Sequence, residues 1–485
     1  MTTSTTTLPP SIAALLPRSE GGHQFVCYGD CCSGIPDGPH EATFASVNAV
    51  LARLEPQPEF VCFLGDEIKG LLADETALRE QWAHWFEREM AWLDREAIPL
   101  YHTTGNHTTY NAASEAVFRA VLAHLPQNGP PGQAGLSYFV RRDDLLLVFV
   151  NTEWSGLGGD GRLELAWLAQ VLRDHQAARH KLVLGHHPVY PINGFSGPYQ
   201  RHLDAADGRA FWDILVRHGV LAYVCSHIMA FDVQAEAGVL QISTAGAGTL
   251  PLMPAETEYL HGMQMALDDQ GLRYQVLDTA GRVREWLAWP LAEPAKPAWQ
   301  PLAAGHQPAP PPGPAADQDL QAELLVWRIE GVCGPADDSA GRGAGQTFLC
   351  GWTPGPALGP WWLGLRGPDN RLFFLLSAEA GRSPHFWAGP TLPAGRPFSL
   401  EVAVHPAMGP GGMLWRWAGS SAWSSLRGAT AWGAERFSPQ ARWSVGHDQY
   451  GPAGQPFRGQ GLQVSWYRAV LELGAGRPGQ NRSAN

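Results

Sequence analysis

The sequence predicts two folded units in succession: an α/β layered domain over residues 23–292 and an all-β sandwich over residues 321–475. Three observations lead there. The chain has 485 residues, more than one core accommodates at roughly 100–200 residues per domain. In the first half, apolar strand-like runs alternate with stretches of helical periodicity. In the second half, short alternating runs are separated by Gly/Pro/Asn turns with little helical spacing.

Residues 1–22 begin MTTSTTTLPP, have no basic leader segment and only a short apolar stretch from Ile12 to Leu16. They read as a disordered tail, not an export signal. Six buried-strand patterns follow: HQFVCYGD, EFVCFLGD, IPLYHTTGN, DLLLVFVNT, HKLVLGHHP and VLAYVCSH. Between the second and third, Leu78, Trp82, Trp85, Phe86, Met90 and Leu93 recur at three- and four-residue spacing. That spacing predicts a helix with one apolar face. Similar helical stretches follow Gly161 and Gly208. Residues 293–320 are rich in Pro and Ala and read as an extended, semi-rigid linker. The strands of the second unit are LQAELLVWRI, QTFLCGW, WWLGLRG, RLFFLLS, PFSLEVAVH, MLWRWAG and GLQVSWYRAVLEL. Residues 476–485 form a polar tail.

Five segments of the first unit each end a strand with residue types that bind metals: YGDCCSG, LGDEIKG, TTGNHTTY, VLGHHPVY and VCSHIMAFD. In layered α/β folds ligands collect beyond the carboxyl ends of the strands, which is where all five fall. Any one alone reads as a turn, since Gly-Asp and Gly-Asn have ordinary structural uses. Carboxylate and carboxamide oxygens suit hard cations, and imidazole suits iron, zinc and manganese.

In these loops the sequence resembles the calcineurin-like metallophosphoesterase superfamily, especially its purple-acid-phosphatase-like branch. Gly29-Asp30, Gly65-Asp66, Gly105-Asn106-His107, Val183-x-x-His186 and Ser226-His227-x-Met229 stand in the family's order. The resemblance implies two central mixed sheets flanked by helices. It implies that Asp66 bridges two metals and that Asn106, His186 and His227 complete one site, with Asp30 coordinating or orienting the water. It also implies that His107 protonates the leaving alkoxide without binding metal. His187 reads as a hydrogen-bonding neighbour of the ligands.

Two departures fall on the other metal. Met229 stands where the family has its last His, and Cys32 and Lys69 occupy the alternative fourth-ligand positions. Thr108 replaces an acidic residue common after Gly-Asn-His. Three readings follow. One metal works alone, with Lys69 supplying charge; or Cys32, Cys31 and Met229 form a sulfur-containing site for a softer ion such as zinc; or the fold binds without turnover. Each residue also has an ordinary reading, Cys32 and Met229 as packing and Lys69 as a solvated side chain.

The final stretch, with its Phe-x-Gly turn before the last strand, resembles laminin-G-like or concanavalin-like jelly rolls. Trp361, Trp362, Trp387, Trp415, Trp417, Trp423, Trp432, Trp443 and Trp466 make the region aromatic-rich. Such rings stack on sugars, but most fill cores.

The sequence therefore predicts a metal-dependent phosphoesterase acting on a phosphomonoester or phosphodiester through metal-activated hydroxide. The cofactor is a divalent ion (Mn, Fe or Zn), with one site complete and a second altered. The alternative is an inactive binding protein whose β-sandwich recognises carbohydrate or protein. A net charge of -12 disfavours nucleic acid. No apolar run approaches the ~18 residues of a membrane span. Seven cysteines without an export signal suit the cytoplasm, with Cys333 and Cys350 the one pair open to bonding.

Overall fold

The computed structural model describes residues 12–13, 21–152, 163–193, 202–203, 205–250, 258–303, 305–307, 321–335, 345–352, 361–376, 384–428, 442–448, 450 and 454–472. The first unit is built on two six-stranded mixed sheets. One runs, in spatial order, Val283–Trp289, Gly271–Asp278, His261–Asp268, His23–Tyr28, Val61–Phe63 and Leu100–His102. Its last three strands are parallel neighbours. The other runs Phe231–Glu236, Val239–Thr244, Ala222–Cys225, His180–Leu184, Leu145–Phe149 and Tyr138–Arg142. There Leu145–Phe149, His180–Leu184 and Ala222–Cys225 are parallel. All six strand patterns read from the sequence form strands, and these parallel strands are buried almost throughout because both sheet faces are covered.

Helices flank the sheets at Glu41–Leu51, Glu75–His84, Ala112–Val121, Leu165–Asp174 and Ala205–Arg217. Asp74 caps the second by accepting the N–H groups of Thr76 and Ala77. Asn111 and Ser114 cap the third reciprocally. The aromatic stripe differs from expectation. Its α-helix stops at His84, and Trp85–Glu89 forms a π-turn closed by Met90 N–H on the Trp85 carbonyl at 2.9 Å. The wider turn inserts one residue, which keeps Trp85 and Met90 both facing the core. Leu93 lies beyond it and is still buried. The fifth helix starts ahead of Gly208.

The second unit pairs two antiparallel sheets. The six-stranded sheet orders Gln300–Leu302, Gln460–Glu472, Gln321–Val332, Pro397–Val404, Met413–Trp417 and Ser424–Ser425. The seven-stranded sheet orders Gly305–Gln307, Arg442–Val445, Gln346–Trp352, Trp361–Arg366, Arg371–Leu376, His385–Thr391 and Arg427–Gly428. Trp327, Trp361, Trp387 and Trp443 are fully buried in the cluster they share. Trp423 and Trp466 are buried too, and of the candidate sugar-stacking tryptophans described only Trp417 is widely exposed, at 43%. Trp432 lies outside the described residues, as does the polar tail.

Within the segment read as a linker, Gln300–Leu302 and Gly305–Gln307 join the two sheets as edge strands. Trp299 packs edge-on against Tyr467 and under Arg328. Glu293 accepts hydrogen bonds from both Arg416 terminal nitrogens at 2.7 and 2.9 Å, from the Tyr467 hydroxyl at 2.6 Å and from the Trp423 indole. Pro-rich chain needs no helix or ladder of its own, so it follows the sandwich surface and pairs where an edge is open. Of the N-terminal segment read as a disordered tail, Ile12–Ala13 pairs in parallel with Leu54–Glu55, and residues 1–11 and 14–20 lie outside the described residues.

The sandwich docks on the outermost strand of the second sheet, Phe231–Glu236. Ser425 Oγ accepts the Ala235 N–H and Ser424 Oγ the Ala237 N–H, each at 2.9 Å. The Trp423 carbonyl accepts the Gly238 N–H. Arg427 pairs with Glu236 at 2.6 Å and stacks over Tyr190. An open sheet edge is a liability in solution, and here it is covered from within the chain. All seven cysteines are free and buried, so Cys333 and Cys350 do not pair.

Candidate metal centre

Five loops leave parallel strands at their carboxyl ends and meet between the two sheets. The glycines preceding Asp30, Asp66, Asn106 and His186 are there for space. Gly65 has φ +87°, and a Cβ on it would sit 2.5 Å from the Thr104 carbonyl and 2.7 Å from His186 Nδ1. A Cβ on Gly105 would overlap the Asp66 carboxylate and main-chain nitrogen. Asp30, Cys32, Asp66 and His227 themselves have φ between 44° and 69°. Non-glycine residues in the left-handed region cost free energy and cluster where function requires them. Ladder-like bonds hold the first two loops together, among them Asp30 N–H to Gly65 O at 3.1 Å and Cys32 N–H to Asp66 O at 2.7 Å.

The structure brings Asp66, Asn106, His186 and His227 to one point. His186 is fully buried, and its Nδ1 donates to the Leu64 carbonyl at 2.8 Å. In the neutral ring Nε2 then carries a lone pair. Around that atom lie Asn106 Oδ1 at 3.2 Å, His227 Nδ1 at 3.2 Å and Asp66 Oδ2 at 3.3 Å. Ligands ~2.1 Å from a shared ion stand about 3.0 Å apart at right angles and about 3.4 Å apart at tetrahedral angles. Three donor atoms gathered on one lone pair at this spacing match the ligands of a common cation, so the residues present fit a metal ion.

Asp30 stands beside this group and braces it. Its Oδ2 accepts the His227 main-chain N–H at 2.7 Å and, closer still, the Ser226 hydroxyl. Burial pushes its carboxyl up to about 6, with the Asp66 charge adding to the rise against His186 and the two hydrogen bonds. Burial would raise Asp66 as well, yet His186 and His107 beside it hold that carboxyl below the usual range. The two carboxyls part because the histidines lie closer to Asp66, while burial dominates at Asp30. Asp232 accepts from the Gln234 side chain at 2.6 Å, and Asp30 takes the His227 N–H.

His107 sits at the rim, its side chain 25% exposed. Its Nδ1 donates to the Lys69 carbonyl at 2.6 Å, which turns Nε2 towards Asp66 Oδ2, 4.0 Å away. Asp66 Oδ1 accepts the His107 main-chain N–H at 2.8 Å. Lys69 thus contributes its carbonyl, while its side chain is exposed. That placement goes against a charge-replacing role, because an exposed ammonium is better solvated by water than held over the site. Met229 is partly exposed. Cys32 lies with Asp66 and His107, their ligand atoms within 4.8 Å of one another.

His187 is fully buried, its ring centroid 4.2 Å from that of His227 and its Nδ1 3.2 Å from Thr152 Oγ1. Thr152 Oγ1 accepts the main-chain N–H groups of His186 and His187 at 3.2 and 3.1 Å. With both lone pairs occupied, the hydroxyl donates to His187 Nδ1 and sets that ring's tautomer. Thr152 and Ser226 escaped the sequence reading. Thr152 ends the strand pattern DLLLVFVNT at the same level as the ligands, but it follows no glycine and is no ligand type. Glu67 and His102 were also passed over. They form a fully buried pair at 2.8 Å directly behind Asp66, in which burial raises the Glu67 carboxyl and pushes His102 down to about 3.

Residues 23–231 match the family model for calcineurin-like phosphoesterases. The fold is similar to GAP50, the anchor in the inner membrane complex of Plasmodium, at 12% identity and TM-score 0.40, covering 55% of this chain and 88% of that one. It is similar to purple acid phosphatase PPD1 from yellow lupin (Lupinus luteus) seeds at 12% identity and TM-score 0.41, covering 56% of this chain and 54% of that one. A dimetal phosphatase from Danio rerio matches at 17% identity and TM-score 0.37, covering 53% of this chain and 95% of that one. No curated protein matches the sequence. Among the described residues no helix is long and apolar enough to cross a membrane.

Proposed function

We propose that the protein is a metal-dependent hydrolase of phosphoric esters, with a small phosphomonoester or phosphodiester as substrate. One observation carries the reading: the His186 Nε2 lone pair faces three further donor atoms at 3.2–3.3 Å. Asp66, Asn106, His186 and His227 would hold the ion. A divalent cation bound there lowers the pKa of a water towards ~7 and offsets charge on the phosphoryl oxygens. Asp30 keeps the His227 loop in place through its two hydrogen bonds. His107, anchored at Nδ1 by the Lys69 carbonyl, presents Nε2 to the open side and in its protonated form delivers that proton to the leaving alkoxide.

The all-β unit resembles a jelly roll. Its buried tryptophans give little support to sugar stacking, and what favours a structural role is its cover over the Phe231–Glu236 edge. Seven free thiols fit a reducing compartment, and the cytoplasm is our reading.

Titrating the chelator-treated chain with Mn, Fe or Zn against aryl phosphomonoesters and diesters tests the proposal. Hydrolysis is expected to appear as one ion binds. His107→Ala is expected to lower turnover by about 10²–10⁴-fold with ion content kept. Ion binding without hydrolysis of any ester would favour the inactive alternative, and unaltered rates in His107→Ala would remove the assigned role.

A further inference from the structure

We infer that the substrate's leaving group is apolar, an aryl or alkyl alcohol, and that Leu71, Leu72 and Tyr110 bind it beside His107. The inference rests on the proposed function, since it names what departs from that same centre.

Among the described residues nine large apolar side chains are widely exposed, and three of them stand on the two loops that carry His107 and its anchor. Leu71 is 44% exposed, Leu72 38% and Tyr110 41%. The loops are fastened to each other along this stretch. Leu71 N–H donates to the His107 carbonyl and Asn111 Nδ2 to the Leu72 carbonyl, each at 3.0 Å. At Gly70 they run so close that a Cβ would overlap the His107 carbonyl. The patch is thus held by main chain beside the ring whose Nδ1 the Lys69 carbonyl fixes. Leu71 also has φ +56°, a conformation that Gly or Asn adopts far more readily than Leu. Single exposed leucines are ordinary. Three apolar side chains together, one of them on strained main chain beside a proton donor, mark a surface kept for a ligand. A fourth, Leu250, is 44% exposed and follows Thr249, whose N–H and hydroxyl donate to the Asp30 carbonyl at 3.0 and 2.7 Å.

The reaction decides the occupant. Hydrolysis breaks the bond between phosphorus and the oxygen that His107 protonates, and water supplies the new bond to phosphorus. The group that leaves with that oxygen therefore lies against the surface next to His107, where it meets leucine and tyrosine carbon. The charged side chains flanking the patch in sequence are Lys69, Asp74 and Glu75, all exposed. They offer no excess of positive charge to a leaving group with further phosphates, whereas an apolar one gains by leaving water.

The test uses the full-length chain loaded with metal, and phenyl phosphate beside its para-methyl, ethyl, propyl and butyl derivatives, as monoesters and as methyl diesters. These phenols have nearly equal acidity, so the series varies apolar area alone. A methylene half-buried on the patch is expected to raise kcat/KM about 2-fold, and the butyl ester should exceed the phenyl ester by about 10–20-fold. Leu71→Asn should lower that ratio several-fold while unfolding no more readily than the unaltered chain. Leu72→Ser with Tyr110→Ser should bring the ratio towards one, and Val470→Ser, an exposed apolar residue of the sandwich, should leave it unchanged. Equal kcat/KM across the series would overturn this inference alone, as would a ratio that survives both the Leu71 and the Leu72/Tyr110 changes. Hydrolysis of none of these esters overturns the proposed function too.

Discussion

Replacing Gly65 by Ala tests whether the metal centre depends on the close approach of its loops. Two costs add at this position. Its φ of +87° places an L-residue in the left-handed region at about 1–2 kcal/mol. The added Cβ would lie 2.5 Å from the Thr104 carbonyl, 2.7 Å from His186 Nδ1 and 3.0 Å from Gly105 Cα. Two of these neighbours are main chain, and the third is a ring held by its bond to Leu64, so none yields cheaply. Overpacking of this kind costs about 1–3 kcal/mol. The sum is about 2–5 kcal/mol, with His186 displaced from its partners. Gly132→Ala is the control: φ is +82°, with nothing within 4 Å of the new Cβ, so only the backbone cost applies. Denaturant unfolding followed by tryptophan fluorescence, with metal content measured in parallel, reads both effects. If Gly65→Ala proves no less stable than Gly132→Ala and keeps its ion, the crowding around His186 has been misjudged.

Two further expectations concern groups that brace the site or lie near it. Ser226→Ala removes one of two donors to Asp30 Oδ2, and ion affinity in chelator competition should fall about 10–100-fold, as for other supporting partners; unchanged affinity would make Ser226 a bystander. Burial pushes the Asp232 carboxyl up to about 7 against the Gln234 and Asn193 hydrogen bonds. Between the ordinary carboxylate range and pH 7 the folded state therefore holds a proton that the unfolded chain has released. This term makes the fold less stable as pH rises through that window and constant above it. Asp232→Asn should flatten the slope in urea unfolding series between pH 5 and 8, and an unchanged slope would assign it to the other buried carboxyls, Glu285, pushed up to about 8 by burial, among them.

Much of the fold was legible because the parallel strands are continuous apolar runs, most of them leading into a glycine and a ligand type. The four converging side chains were legible for the same reason: Asp66, Asn106, His186 and His227 advertise themselves by chemistry and by place. The supporting atoms were not. Leu64 and Lys69 act through carbonyls, which every residue possesses, and Thr152 and Ser226 act through hydroxyls of ordinary loop residues. The π-turn at Trp85–Glu89 escaped because its apolar spacing differs from α-helical spacing by a single inserted residue. The strands at Gln300–Leu302 and Gly305–Gln307 escaped because Pro-rich composition describes what a segment cannot form alone, not which open edge it will meet.

The docking of the sandwich bears on how the chain could be dissected. The His227 loop runs straight into Phe231–Glu236, the strand whose free side the second unit covers. A version truncated after residue 292 would lay bare the Ala235, Ala237 and Gly238 amides. Such a fragment would tend to self-associate through that strand, and weak hydrolysis by it would report a slackened His227 loop before it reported a missing recognition surface.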